Sequence, residues 1–337
     1  MSSDGEIIEV SSLKHLGNIY DSNLSLNKAI DKAASSLKTT FASLVGVGVH
    51  PKGLNPLTGL KLINTICIPS ALHGCELWNE LTTSQCLILQ RAYRFILKRL
   101  QGLYRCTKTD IVLGLLNCKD ILQIIELKKL SLLGRICNMG NTVTKNIFLF
   151  RAHLCRTENA SHKQKGFIPD IQNILQKYSL NEYLERFLDD GYFPPTKLWK
   201  LICKNNVQIQ VEASISTLRL TKVELSNNIT WTTGQKHPHL LEYCYTLAKL
   251  VALPEDKETN HLCEKCGNLF KDTVNHLLFQ CCCDAVCKGM TMHDLVCDPR
   301  DADEDTSDKI AALSKILPQI HKLIFVNGIS LVPAFPD

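Results

Sequence analysis

The chain has 337 residues, of which 45% are hydrophobic and 21% charged, and its formal net charge is +5. These values are typical of a globular protein of two or three domains and exclude an intrinsically disordered chain. Residues 1–10 lack the apolar core of a signal peptide, and no apolar run has the length of a membrane span, so the sequence predicts an intracellular protein of the nucleus or cytoplasm with no membrane partner.

The periodicity of the apolar residues predicts a mainly α protein with a small β entry. Ser11 and Ser12 separate two short β-branched or apolar runs, which favours a strand pair, and beyond them apolar residues recur every three or four positions, as in helices. Pro69 is expected to bend one helix, and Thr82 or Thr83 to cap the next. The expected strands are 6–10 and 13–20, and the expected helices are 25–45, 56–78, 82–100, 109–117, 119–139, 143–155, 168–178, 180–189, 196–224, 239–252, 284–296 and 306–323.

The middle of the chain is strongly basic. Between Cys86 and Arg151 there are twelve Lys or Arg residues against three acids, and on the helix expected at 82–100 three cations recur at i, i+3 and i+7. Such a row can follow phosphates with little sequence preference, so the pattern favours contact with RNA or DNA, the alternative being an ordinary solvated helix face. The candidate nucleic-acid-binding residues are Arg91, Arg94, Lys98, Arg99, Arg105, Lys128 and Lys129.

The sixteen cysteines fall into two groups. Most lie inside apolar helical patterns and are predicted to be reduced, buried, small hydrophobic residues, which makes a disulfide framework improbable. The cysteines of this group that carry the prediction are Cys67, Cys86, Cys137, Cys203 and Cys244.

The second group has the spacing of a metal site, Cys263-x2-Cys266-x9-His276-x4-Cys281. Two thiolates presented from one turn, with a histidine and a third cysteine, complete a tetrahedron around Zn²⁺ and leave no position for water, so the predicted role is structural. Gly267 permits the turn that the Cys-x2-Cys pair needs. Cys282, Cys283 and Cys287 follow at once, so the fourth ligand is open to a slip of a residue or two, and chance proximity in a cysteine-rich chain is the competing interpretation.

Several strings, in this order from Leu13 to Cys281, resemble the reverse transcriptases of non-long-terminal-repeat (LINE- or jockey-like) retrotransposons. The first, with its Leu16-Gly17 pair, is similar to the strand that joins palm to thumb in that family, and the others are similar to its thumb helices, the segment after them, and its C-terminal Cys-Cys-His-Cys zinc knuckle. The strings are LKHLGNIYD, LKLINTICIPSALHGCELW, LQRAYRFILKRLQGLYRCTKTDIVLGLLN, ELKKLSLLGRICNM and CEKCGNLFKDTVNHLLFQC.

The resemblance implies a mainly α fold with a helical thumb-like domain, a short N-terminal β-hairpin and a small C-terminal zinc knuckle. It also implies contact with the template–primer backbone, and a catalytic reverse-transcriptase half supplied in trans. The segment from Pro254 to Lys309 has thirteen acids against six Lys or Arg, which marks an acidic tail. The predicted domains are 1–24 (remnant of the palm–thumb junction), 25–155 (basic, thumb-like), 156–258 (helical connector), 259–284 (knuckle) and 285–337 (acidic tail).

The catalytic motif of that family has no counterpart in this sequence. Its metal-binding carboxylates precede the Leu-Gly strand, and here only fifteen residues precede Leu16. Phe187-Leu188-Asp189-Asp190 imitates the aromatic-x-Asp-Asp pair, but it is predicted to end a helix with Gly191 as the cap. The sequence therefore predicts a truncated, nucleic-acid-binding polypeptide without polymerase activity by itself.

Two other functions stay open. One is a zinc-containing helical module that binds other proteins, and the other is a gene fragment with no independent role. The salt dependence of binding to a primer–template duplex separates the first of these from nucleic-acid binding.

Overall fold

The described part of the chain is mainly helical, as the apolar periodicity predicts. A computed structural model describes residues 11–23, 25–51, 53–157, 166–217, 229–236, 238, 241–252, 261–262, 266–270, 276 and 280–281. The helices are α1 Asn27–Gly46, α2 Pro56–Leu62, α3 Ile68–Ala71, α4 Thr83–Gln101, α5 Thr109–Leu116, α6 Ile121–Cys137, α7 Val143–Thr157, α8 Phe167–Lys177, α9 Asn181–Asp190, α10 Thr196–Thr217, α11 Ile229–Lys236 and α12 Leu241–Val251. Among these residues, no helix combines the length and apolarity that a bilayer span requires.

Two short antiparallel hairpins complete the described structure. Strands β1 Ser12–His15 and β2 Asn18–Asp21 form one, and β3 His261–Leu262 and β4 Leu269–Phe270 form the other. The prediction of a single strand at 13–20 was wrong, because that run folds back on itself at Leu16 and Gly17. Both turn residues have positive φ, 46° and 85°, as a two-residue hairpin turn of type I′ requires. The expected strand at 6–10 lies outside the described residues.

The helix expected at 56–78 is interrupted earlier than predicted. Helix α2 ends at Leu62, and the π-helical turn Ile63–Cys67 leads into the short α3, so the irregularity begins before Pro69. A 3-10 turn, Cys75–Leu77, follows. The cap predicted for α4 is confirmed. The main-chain N–H of Gln85 donates to Thr82 Oγ1 (3.4 Å), and the main-chain N–H of Thr82 donates to Gln85 Oε1 (3.0 Å).

The chain forms two compact units, and each is discontinuous in sequence. The first contains Met1–Ala42, Ile63–Tyr93 and Lys119–Ala213, and the second contains the remaining segments, Ser43–Leu62, Arg94–Cys118 and Ser214–Asp337. Helices α1, α4 and α10 contribute residues to both units. The predicted domains, by contrast, follow one another along the chain.

The core of the first unit is built around Trp199 of α10. This side chain is fully buried, and its indole Nε1 donates a 2.7 Å hydrogen bond to the main-chain oxygen of Leu130 in α6. Tyr183 and Phe193 meet the indole edge to face, with ring centroids 5.4 and 4.8 Å away. Helices α6 to α10 surround this aromatic group with Leu, Ile and Val side chains, which form one hydrophobic core.

The core of the second unit has a polar centre. Gln101, at the end of α4, is fully buried. Its side-chain Nε2 donates to the main-chain oxygens of Leu97 (3.3 Å) and Val112 (3.0 Å). Its Oε1 accepts a hydrogen bond from Trp231 Nε1 (3.1 Å). Trp231 belongs to α11, a helix that the sequence did not predict, and its main-chain oxygen accepts from Asn55 (3.0 Å). Because every buried polar group named here has a partner, this network fixes the relative positions of α4, α5 and α11.

The prediction of buried, reduced cysteines holds for four of the five that carried it. Cys67, Cys137, Cys203 and Cys244 are buried thiols, while Cys86 is half-buried. Burial disfavours the thiolate and raises the pKa of Cys137, Cys203 and Cys244 to about 12. These side chains therefore act as small hydrophobic residues.

Candidate functional site

Three of the four predicted metal ligands lie together. The ligand atoms of Cys266, His276 and Cys281 are all within 4.8 Å of one another, and Cys266 Sγ is 3.4 Å from His276 Nε2. In a tetrahedral zinc site, bond lengths near 2.3 Å to sulfur and 2.0 Å to nitrogen put S and N about 3.5 Å apart. The donor set and its spacing therefore fit a single metal ion.

Local backbone geometry explains why these ligands converge. Cys266 lies in the connection between β3 and β4, whose register pairs Leu262 with Leu269. Gly267 has φ of +71°, which confirms the turn predicted there. On the other side of the site, the Cys281 amide donates to the main-chain oxygen of His276 (2.7 Å), which holds the last two ligands in one tight turn.

Burial distinguishes these residues from a chance surface cluster. His276 and Cys281 are buried, and Cys266 is half-buried. A buried imidazole between two thiols can act as a neutral ligand and each thiol as an anionic one, which is the chemistry that Zn²⁺ selects. The predicted ligand Cys263 and the alternatives Cys282, Cys283 and Cys287 lie outside the described residues, so the fourth ligand stays a prediction.

The seven cations predicted to bind nucleic acid are divided between the two units. Arg91, Lys128 and Lys129 belong to the first, and the other four to the second. Arg91 is exposed, and Lys128 Nζ lies 3.8 Å from Glu76 Oε1. The members in the second unit are Arg94, Lys98, Arg99 and Arg105.

Lys129 is not a surface cation. Its side chain is 3% exposed, and its ammonium forms a 2.6 Å ion pair with Asp170 at the start of α8. Burial raises the pKa of the Asp170 carboxyl, although the lysine counteracts this effect. Because reaching a phosphate would require breaking a buried ion pair, Lys129 is removed from the candidate set.

The four cations in the second unit surround the end of α4 and the turn that follows it. Arg99 and Arg105 are exposed, and Arg94 and Lys98 are half-buried. Lys98 Nζ donates to the main-chain oxygen of Arg105 (2.6 Å), which ties the turn to the helix. Partial burial, with the Arg94 cation as a smaller cause, lowers the pKa of Lys98, while Cys106 acts in the opposite direction.

Exposed neighbours extend this group. Lys108 is exposed one residue before α5, although the sequence analysis did not include it among the binding residues. The guanidinium of Arg99 lies 5.6 Å from the centroid of the Phe95 ring, a cation–π contact on the exposed side of α4. We call Arg94, Lys98, Arg99, Arg105 and Lys108 the basic surface.

The Asp189-Asp190 pair ends a helix, as predicted. Helix α9 stops at Asp190, and Gly191 follows with φ of +72° and its amide donating to the main-chain oxygen of Phe187. Asp189 accepts a 2.5 Å hydrogen bond from Arg156 in an exposed ion pair, and Phe187 is buried in the core. Asp189 and Asp190 are therefore charged residues at a solvated helix end.

Comparisons of the chain with protein-family models, with curated proteins and with solved structures found no match. The resemblance to retrotransposon reverse transcriptases therefore stands on the sequence strings alone.

Proposed function

We propose that the chain binds nucleic acid by contacting phosphates through the basic surface, and that a zinc ion holds its Cys/His segment folded. The observation that carries the first part is the exposure of Arg99 and Arg105 with Lys98 joining the helix to the turn between them. Guanidinium groups offer planar pairs of donors that match phosphate oxygens.

The charge around this surface favours a polyanion. Residues 94–118 contain five Lys or Arg residues and a single acid, Asp110. Because this segment itself carries so little negative charge, its cations are expected to attract a phosphate backbone from a distance of about a Debye length. The same charges without a groove-reading element predict binding with little sequence preference.

The sequence resemblance is an independent support. In the reverse transcriptases that the strings resemble, the thumb holds the template–primer backbone. Under this proposal the chain binds the template–primer backbone, and polymerisation requires carboxylates from a catalytic half in trans.

The zinc proposal rests on the convergence of Cys266, His276 and Cys281. Two thiols and an imidazole are softer donors than magnesium or calcium select, and a thiol from the Cys-x2-Cys pair would complete the tetrahedron. Since such a site leaves no coordination position for water, the ion stabilises the segment and does not perform chemistry.

The test is the salt slope of binding. Anisotropy of a fluorescein-labelled RNA–DNA primer–template duplex, titrated with the full chain at about 50 to 200 mM salt, is expected to give a log–log slope of about −3 for three to four phosphate contacts. The double variant Arg99→Gln/Arg105→Gln should reduce the magnitude of the slope by about 2.

The matched control is Lys200→Gln/Lys204→Gln, which removes two exposed cations from α10. This control is expected to leave the slope unchanged, because Lys200 and Lys204 belong to the other unit and are not part of the basic surface. A slope near zero for the wild type, or equal slopes for both double variants, contradicts the proposal.

A protein-binding module is the second candidate, and one feature of α7 favours it. Val143, Ile147 and Phe150 are 75%, 59% and 64% exposed and recur at i, i+4 and i+7. An exposed apolar stripe of this kind is commonly a protein contact. Duplex binding with a steep salt slope supports the first candidate, and its absence supports the second.

A further inference from the structure

The first unit contains a cavity that neither the basic surface nor the metal site uses. Its volume is about 560 Å³, which lies within the usual range of about 300–1,000 Å³ for small-molecule sites. Its walls are strand β2, the first half of α1 that follows it, and residues 69–79.

Small side chains on α1 leave room for a ligand. Ala29, Ala33 and Ser36, together with Lys32, line the cavity at spacings of three and four residues, so they share one face of the helix. Opposite them the lining is largely apolar and includes the buried indole of Trp78. The cavity thus offers a slot for a flat apolar body.

Close contacts hold the hairpin wall in place. Gly74 has φ of +75°, and a Cβ added there would lie 2.1 Å from Asn18 Oδ1 in β2. His73 Nε2 donates to the main-chain oxygen of Leu16 (3.2 Å). These contacts of His73 and Gly74 with the hairpin therefore hold the cavity wall in place.

One end of the cavity is cationic. Lys32 donates to the main-chain oxygen of Gly17, and His73 donates beside it at Leu16. An ammonium group carries three N–H donors, so an anion can bind next to the carbonyl that already accepts one. The Lys32 end of the cavity therefore has N–H donors for a negatively charged head group.

Asp21, the acidic residue of the lining, lies at the end of the cavity opposite Lys32. Asp21 is four residues beyond Gly17 along β2, which corresponds to about 13 Å of strand. Its carboxylate accepts from the Asn23 amide (3.0 Å). This separation makes the cavity electrostatically polar, with positive charge at the hairpin turn.

We propose that this cavity binds a small organic anion, with a carboxylate or sulfonate at Lys32 and an aromatic body in the slot against Trp78. The proposal is independent of nucleic-acid binding, since its residues belong to the first unit and the basic surface to the second.

The test uses 1-anilinonaphthalene-8-sulfonate as the probe and N-phenyl-1-naphthylamine, the same ring system without the sulfonate, as its neutral counterpart. The full chain is expected to show saturable fluorescence enhancement with one anionic probe per chain. Lys32→Met should weaken binding of the anionic probe about tenfold, the usual effect of losing one charged hydrogen bond, and leave binding of the neutral probe unchanged.

Lys28→Met is the matched control, because Lys28 lies on the same helix but donates to Ser12 Oγ (3.3 Å) and does not line the cavity. Ala29→Phe should fill the slot and abolish binding of both probes. Since that variant adds bulk, Leu77→Ala is measured as well; Leu77 is exposed at the rim, and its truncation should weaken both probes about equally.

Equal effects of Lys32→Met and Lys28→Met on the anionic probe overturn the proposal. So does unchanged probe binding in both Ala29→Phe and Leu77→Ala. None of these measurements contains nucleic acid, so they fail or succeed separately from the salt-slope experiment.

Discussion

Trp199 lies so close to Gly134 that a Cβ added at residue 134 would be 2.1 Å from Trp199 Cδ1. The glycine is in the last turn of α6 and has no positive φ, so the reason for it is steric. The close approach allows the indole to reach the main-chain oxygen of Leu130, four residues earlier on the same helix. The close contact between helices α6 and α10 therefore depends on the lack of a side chain at Gly134 and on the hydrogen bond from Trp199 to Leu130.

Gly134→Ala is expected to destabilise the chain. Overpacking costs about 1–3 kcal/mol, and the better helix propensity of alanine offsets less than about 1 kcal/mol of it. Since 2.1 Å is far inside contact distance, we expect a net loss of about 2 kcal/mol in the free energy of unfolding, measured from urea midpoints. Gly46→Ala, at the end of α1 with open space around it, is the control and should not lose stability.

The metal site predicts a distinct pattern of zinc content. Purified full-length chain should contain one zinc ion by elemental analysis, and Cys266→Ser, His276→Gln and Cys281→Ser should each lose it. Cys106→Ser removes an exposed thiol far from this segment in sequence and should retain the metal. Retention of zinc by the Cys281→Ser variant contradicts the ligand assignment, and Cys263→Ser then decides whether the predicted fourth thiol takes part.

The ion pair between Arg156 and Asp189 predicts a shifted titration. The hydrogen bond from Arg156 holds the pKa of the Asp189 carboxyl below its ordinary value of 3.8. A depressed pKa in the folded state means that the stabilisation is present above pH 3.8 and is lost as the pH falls through the folded pKa. Carboxyl-carbon NMR should show Asp189 titrating below 3.8 in the wild type and nearer 3.8 in Arg156→Gln. An unchanged titration contradicts the pairing.

Much of the helical structure could be predicted from apolar spacing, but the breaks could not. Helices α1, α4, α6, α7, α8 and α9 begin and end within a few residues of their predicted limits. The hairpin turn was missed because Leu16 takes a positive φ that side chains rarely adopt, and no Asn-Gly or Asp-Gly pair marks it. The slot between β2, α1 and residues 69–79 has no sequence signal at all, since its walls come together only in the folded chain.

The burial of Lys129 could have been predicted from the sequence. Lys129 lies four residues after Ile125 and four before Leu133, which places it on the apolar stripe of α6 and not with Lys128. Local charge density alone groups the two lysines, whereas helical spacing separates them. Which acid would neutralise the buried one was not predictable, because Asp170 is 41 residues away in sequence.

The Lys129–Asp170 pair makes stability depend on pH in a specific way. Lys129→Met removes the cation and leaves the Asp170 carboxyl buried, which at neutral pH should cost about 3–5 kcal/mol. Burial already raises the pKa of Asp170 above 3.8, and loss of the lysine raises it further, because the lysine is the group that counteracts burial.

A folded-state pKa above the unfolded value means that the native state holds its proton longer. The penalty of Lys129→Met is therefore small below pH 3.8, where the carboxyl is protonated in both states, and grows as the pH rises through the folded pKa. Urea unfolding of wild type and variant at about pH 4 and pH 7 measures this difference directly. Lys128→Met removes the half-exposed neighbour and should show a small, pH-independent effect over the same range. If the two variants lose equal stability at neutral pH, the buried ion pair does not contribute to the free energy of unfolding as its geometry indicates.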